Sequence, residues 1–99
     1  MRVPLLSGDE IAEHLGRLPG WVRQDDAIVK TYSFADFSLA MEFVNLVAEA
    51  AEAVDHHPDM DIRYSKVTLM LTTHDSSGLT LNDMELAAAC DGFADGVKQ

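Results

Sequence analysis

The 99-residue sequence predicts a single α+β domain, residues 1–99, with elements in the order αββαββα. In such an order a four-stranded antiparallel sheet is covered on one face by helices. Three observations predict it. Between residues 37 and 54, apolar side chains recur at the spacing of a helix. Val67, Leu69 and Leu71 alternate with Thr68, Met70 and Thr72, the period of a strand. Turn residues at Asp25-Asp26 and at "YSK" (Tyr64 to Lys66) each fold a β-prone run back on itself.

The first helix opens at "SGDE", where Ser7 caps and Glu10 stands at the third position, a capping-box pattern. Ile11, Leu15 and Leu18 follow at helical spacing, and "LPG" (Leu18 to Gly20) ends the element. Trp21 and Val22 begin a first strand, and Ala27 to Phe34 reads as a second. Asp36 caps the longest helix, which carries two apolar stripes. One is Phe37, Ala40, Met41, Val44, Val47, Ala48 and Ala51; the other is Leu39, Phe43, Leu46, Ala50 and Val54. So broad an apolar surface is expected to be buried on more than one side. After Pro58, residues 60 to 64 and 67 to 74 read as strands, and "DSSG" (Asp75 to Gly78) as a loop. Thr80 caps the last helix with Asp83 at its third position, and Leu86, Ala89, Cys90, Phe93 and Val97 supply its inner face.

Composition narrows the function. Hydrophobic residues are 47 % and charged residues 24 %, both ordinary for a globular chain, whereas the net charge of −10 is not. Phosphate backbones and anionic lipid surfaces repel such a protein, so neither nucleic acid nor a membrane is expected as a partner. The single Cys90 rules out an internal disulfide framework and suits a reducing compartment. The opening "MRVPLLSGDE" lacks the apolar stretch of a signal peptide, and a soluble cytoplasmic protein is expected. A chain of this length buries roughly 60–65 % of its unfolded surface and gains from association.

The stretch "AVDHHPDMDIRY", residues 53 to 64, carries the chemistry. His56 and His57 sit where the long helix must stop, because Pro58 biases its predecessor out of helical geometry. The negative end of a helix favours an imidazolium, and Asp55, Asp59 and Asp61 add to that field. This suits histidines for proton transfer at cellular pH. Plain helix capping is the bland alternative. Zinc is another, with His74 as a third nitrogen donor, although adjacent histidines diverge and the H-x3-H and C-x2-C spacings are absent. Cys90 reads as a core residue rather than a nucleophile, no glycine-rich phosphate loop occurs, and His14 reads as a solvated surface residue. His74 closes the strand of alternating residues beside Thr72 and Thr73 and would approach the His56–His57 corner. Three imidazoles round one pocket point to general acid–base chemistry.

The spaced pattern Glu52, His56-His57-Pro58, Tyr64, His74, Asp83 resembles the pterin-4a-carbinolamine dehydratases. "GW" at Gly20-Trp21, "YSFADF" at Tyr32 to Phe37, "TTH" at Thr72 to His74 and "GLT" at Gly78 to Thr80 extend the likeness over nearly the whole chain. The resemblance implies removal of water from 4a-hydroxytetrahydropterin to give the quinonoid dihydropterin, with no metal and no organic cofactor. His56 and His74 would form the acid–base pair, with His57 as a catalytic-site residue that binds and orients the pterin. Substrate would lie against His56, His57 and Pro58 on one side and Thr73, His74, Asp75 and Ser76 on the other. Glu52 and Asp83 would hold histidines in place.

Two positions depart from the family pattern. Met60 stands where many relatives have tryptophan, and Asn82 where many have Arg or Lys. Both bear on affinity and specificity more than on reaction type. A rival reading is a non-catalytic dehydratase-like assembly factor or dimerisation partner, and another is a small metal-dependent hydrolase. Retention of all three histidines favours the enzyme. A homodimer or homotetramer is expected, from the excess apolar surface of residues 37 to 54 and from an edge strand 67 to 74 free to pair across a two-fold axis.

Overall fold

The computed structural model describes residues 3–98. Met1 and Arg2, the start of the segment tested for a leader, and Gln99 lie outside the described residues. The elements are α1 (Gly8–Leu15), β1 (Val22–Gln24), β2 (Ala27–Ser33), α2 (Phe37–Val54), β3 (Asp59–Arg63), β4 (Lys66–Leu71), a 3-10 turn (His74–Ser76) and α3 (Leu81–Lys98). The order αββαββα and the four-stranded antiparallel sheet are as the sequence predicts, with strand order β1-β2-β4-β3.

Each helix start follows from its cap. Ser7 and Glu10 exchange the two hydrogen bonds of a capping box at α1. Asp36 accepts the Leu39 N–H at α2. Thr80 accepts the Asn82 N–H at α3, while the Thr80 N–H donates to Asp83. Helix α1 ends at Leu15, earlier than the "LPG" punctuation, because Gly16 closes it. His14, in its last turn, is half-buried rather than solvated. Gly20 has φ 87°, and a Cβ there would come 2.9 Å from the Lys30 side chain, so this turn before β1 needs glycine.

Alternation in the strands fixes the inner face. Register sets Ile28 opposite Leu71, Tyr32 opposite Val67 and Met60 opposite Leu69, and these side chains point to the helices. Strand β4 lies between β2 and β3, so the expectation that residues 67 to 74 form an edge is overturned; the edges are β1 and β3. Strand β4 also ends at Leu71. Thr73 leaves the sheet to pair with Gly78, and His74 begins the 3-10 turn instead of closing a strand.

Helix α2 buries Ala40, Phe43, Val47 and Ala51, three residues of the first stripe read in the sequence and one of the second. Phe37 and Ala48 face outward, and Val54 is exposed. The inner face follows the first stripe and takes in Phe43 from the second, because the helix packs on the sheet and on α3 together. Phe43 is its centre, fully buried against Tyr32 and Phe34 at ring distances of 4.6 and 5.1 Å. On α3 the core takes Met84, Leu86, Ala87, Cys90 and Ala94, while Ala89, Phe93 and Val97 are half-buried. Asp91 on α3 collects the Trp21 indole N–H, the Lys30 ammonium and the Tyr32 hydroxyl on one oxygen, tying α3 to the sheet. Among the described residues, no helix is long and apolar enough to cross a membrane.

Candidate active site

Helix α2 stops at Asp55, whose backbone is left-handed at φ 50° and whose N–H turns back on the Ala51 and Glu52 carbonyls. His56 follows with its own N–H on the Ala51 carbonyl at 3.0 Å. This closure reverses the chain at the helix end and separates the two imidazoles. The His56 side chain is 11 % exposed and the His57 side chain 53 %.

His56 points inward to Asp83, with Nε2 2.7 Å from Oδ1. Asp83 is fully buried in the first turn of α3. Its other oxygen, Oδ2, accepts the Thr80 N–H at 2.9 Å and the Thr73 hydroxyl at 2.8 Å. A carboxylate without water is tolerated only where donors replace it, and three do so here. The helix N-terminus favours the same charge. His57 turns outward, its Nε2 hydrogen-bonded to the Glu52 carboxylate one turn back along α2. That pair is solvent-exposed and serves to orient the ring more than to stabilise the fold.

Thr73, His74 and Asp75 meet this corner from the other side. The Thr73 N–H and carbonyl pair with Gly78, and the Thr72 hydroxyl donates to the Asp26 carbonyl. These bonds pin the segment that carries His74 beside the end of α2. His56, His57 and His74 line one hollow of about 260 Å³, whose wall is completed by Asp55, Thr72, Thr73 and Asp75. That is slightly below the roughly 300–1,000 Å³ of drug-sized ligand pockets. A larger hollow, about 650 Å³, runs along α2 and α3 past Leu39, Leu46 and Phe93, but it is not lined by any histidine. Among the described residues, no three His, Cys, Asp or Glu groups stand together as a metal ligand set.

Most residues singled out from the sequence are therefore brought together: the three histidines, Thr73 and Asp75 at the hollow, Asp83 behind His56, and Glu52 beside His57. Pro58 and Ser76 are not in the wall. The Ser76 hydroxyl is used internally, donating to the Val3 carbonyl at 2.7 Å. Asp55 and Thr72 line the hollow, and Thr80 contacts Asp83, although the sequence marks none of the three as a site residue. Their local signals, a residue before the histidine pair, a strand-end threonine and a helix cap, each have an ordinary structural meaning.

Comparison with known proteins identifies the family. The family model described as "Pterin 4 alpha carbinolamine dehydratase" matches residues 4–93. A protein of Chloroflexus aurantiacus named "putative pterin-4-alpha-carbinolamine dehydratase" is 53 % identical over 89 residues, which span 90 % of this chain and 96 % of that one. One of the same name from Thermomicrobium roseum is 56 % identical over 77 residues, 78 % of this chain and 83 % of its own. Among solved structures, a transcriptional coactivator/pterin dehydratase from Brucella melitensis superposes with a TM-score of 0.89 at 35 % identity, covering 92 % of this chain and 99 % of its own. A pterin dehydratase-like protein described as a RuBisCO assembly factor of the alpha-carboxysome shares the fold at TM-score 0.64 and 19 % identity, over 75 % of this chain and 86 % of its own. With the family model matched over residues 4–93 and these relatives at 53 % and 56 % identity, the chain belongs to the pterin-4-alpha-carbinolamine dehydratase family.

Proposed function

We propose that the protein is a 4a-hydroxytetrahydrobiopterin dehydratase, a hydro-lyase that returns 4a-hydroxytetrahydropterin to the quinonoid dihydropterin for recycling. The observation that carries the reading is the shared hollow: three imidazoles line it, and one of them is held from behind by a buried carboxylate. In the reaction the C4a–O bond breaks as the N5 lone pair forms the C4a=N5 bond. The leaving hydroxyl takes a proton and departs as water, and N5 then gives up its own proton. One protonated and one neutral imidazole perform both transfers without metal or organic cofactor. His56 and His74 are the acid–base pair, and His57, oriented by Glu52, holds the pterin. Thr73 and Asp75 contribute to binding, and Pro58 and Ser76 support the walls from outside. The protein acts in the cytoplasm as a homodimer or homotetramer, in keeping with the unpaired β3 edge and the exposed Val54 and Ile62.

The test is dehydration of 4a-hydroxytetrahydropterin, made by an aromatic amino-acid hydroxylase and followed by ultraviolet absorbance. Wild-type protein should accelerate it, and His56→Ala and His74→Ala should each lose about 10²–10⁴-fold. A folded wild-type protein with no acceleration over buffer would favour a non-catalytic assembly or binding role on the same fold. Light scattering that gives the monomer mass at micromolar concentration would refute the oligomer.

A further inference from the structure

The hydrogen bonds behind His56 run in one direction. The Thr80 Oγ1 accepts the Asn82 N–H at 3.2 Å, so its own proton is free for Thr73, 2.8 Å away. Thr73 Oγ1 must then accept from Thr80, because its proton goes to Asp83 Oδ2. The Thr80 backbone N–H, which cannot reverse, meets the same Oδ2. Asp83 is thereby an acceptor on its inner side, and every group in the chain is buried. A ring nitrogen 2.7 Å from the remaining oxygen cannot face it with a lone pair, since that contact is repulsive. Among the described residues no buried side-chain nitrogen or oxygen lacks a partner, and the His56 ring bonds to them through Nε2 and not Nδ1. Nδ1 must therefore reach solvent, and the hollow is the opening that His56 lines.

We infer that Thr80 and Thr73, acting through Asp83, are positioning residues that keep the His56 proton on Nε2 and present Nδ1 to the hollow as the working atom. The tautomer stands on geometry alone; its effect on turnover rests on the dehydratase reading. The chain also joins three elements, the end of α2, the Thr73–His74 segment and the first turn of α3, so it fixes His56 relative to His74.

The decisive experiment is ¹⁵N–¹H correlation of the histidine side chains in ligand-free protein at a pH where His56 is neutral. Wild type should show His56 protonated at Nε2. In Asp83→Asn the fixed Thr80 N–H holds the amide oxygen at the Oδ2 position and turns the amide NH₂ toward His56, so the proton should move to Nδ1. That inversion opposes the preference of free imidazole, which makes it diagnostic. Wild type protonated at Nδ1, or a folded Asp83→Asn still protonated at Nε2, overturns the inference. Should Asp83→Asn not fold, the wild-type Nε2–H decides: a downfield, slowly exchanging proton supports the bond to Asp83, and a rapidly exchanging one overturns the inference. In the dehydration assay Thr80→Val should lower kcat about 10-fold with KM within about 2-fold, and Thr80→Ser should recover most of the loss. Equal kcat in Thr80→Val and wild type overturns the positioning role. Absence of turnover in every variant, with the tautomers as expected, would instead count against the dehydratase reading.

Discussion

Replacing Asp91 by alanine should lower the unfolding free energy by about 2–4 kcal/mol, and the structure gives the reason. One oxygen of this carboxylate accepts the Trp21 indole N–H, the Tyr32 hydroxyl and the Lys30 ammonium. Trp21 and Tyr32 are 4 % and 3 % exposed, so each donor loses its acceptor while its own residue stays buried. An orphaned buried donor costs about 1–3 kcal/mol, and two are orphaned. A hollow of about 580 Å³ borders Lys30, Tyr32 and Asp91 and admits water, which brings the sum toward the lower half of that range. Lys30 adds little, because it keeps the Pro19 carbonyl at 2.7 Å. Against a typical total of about 5–15 kcal/mol the loss is large, and the melting temperature should fall by roughly 10–30 °C. Urea unfolding should be followed by far-ultraviolet circular dichroism, because Trp21 fluorescence reports on the altered contact itself. The m-value should stay constant, and Tyr32→Phe should cost at least 1 kcal/mol less in the Asp91→Ala background than in wild type. A loss below about 0.5 kcal/mol, or additive behaviour of the two changes, would refute the shared-acceptor argument.

Other outcomes follow from the same contacts. Phe43→Ala removes a fully buried ring stacked on Tyr32 and Phe34 and should cost about 3–5 kcal/mol, measured by the shift in urea midpoint. Burial, then the neighbouring Asp91 carboxylate, pushes the Cys90 thiol from 9.0 up to about 12. Because the folded value is raised, this stability is complete below pH 9 and is lost as pH rises toward 12; at pH 10 the loss is about 1.4 kcal/mol, and Cys90→Ala should flatten that part of the stability–pH curve. Burial and the Asp91 hydrogen bond raise the Tyr32 phenol as well, so alkaline destabilisation should persist in that variant above pH 10. Tyr64 is exposed and left-handed at φ 52° in the β3–β4 turn, so Tyr64→Asn should raise stability by a few tenths to about 1 kcal/mol, and a lower melting temperature would contradict the strain.

Local patterns were sufficient for the elements and for the residue types of the candidate site. The Ser7–Glu10 box, the Asp36 and Thr80 caps and the Val67–Leu71 alternation each act within one element, so they can be read without knowing the fold. The His56-His57-Pro58 corner could be read likewise, because the helix has to end there. What only the tertiary structure decided were relations between distant residues. Strand order made β4 internal, since pairing partners are chosen by the whole sheet and not by the strand. The inner face of α2 kept part of one apolar stripe and took Phe43 from the other, because α3 and the sheet share that helix. Asp91 became a threefold acceptor, and Thr73 joined Thr80 behind Asp83, through contacts 59 to 70 and 7 to 10 residues apart in sequence. An isolated threonine or aspartate carries no mark of such a role: its hydrogen-bonding groups are the same everywhere, and only burial without water makes their partners matter.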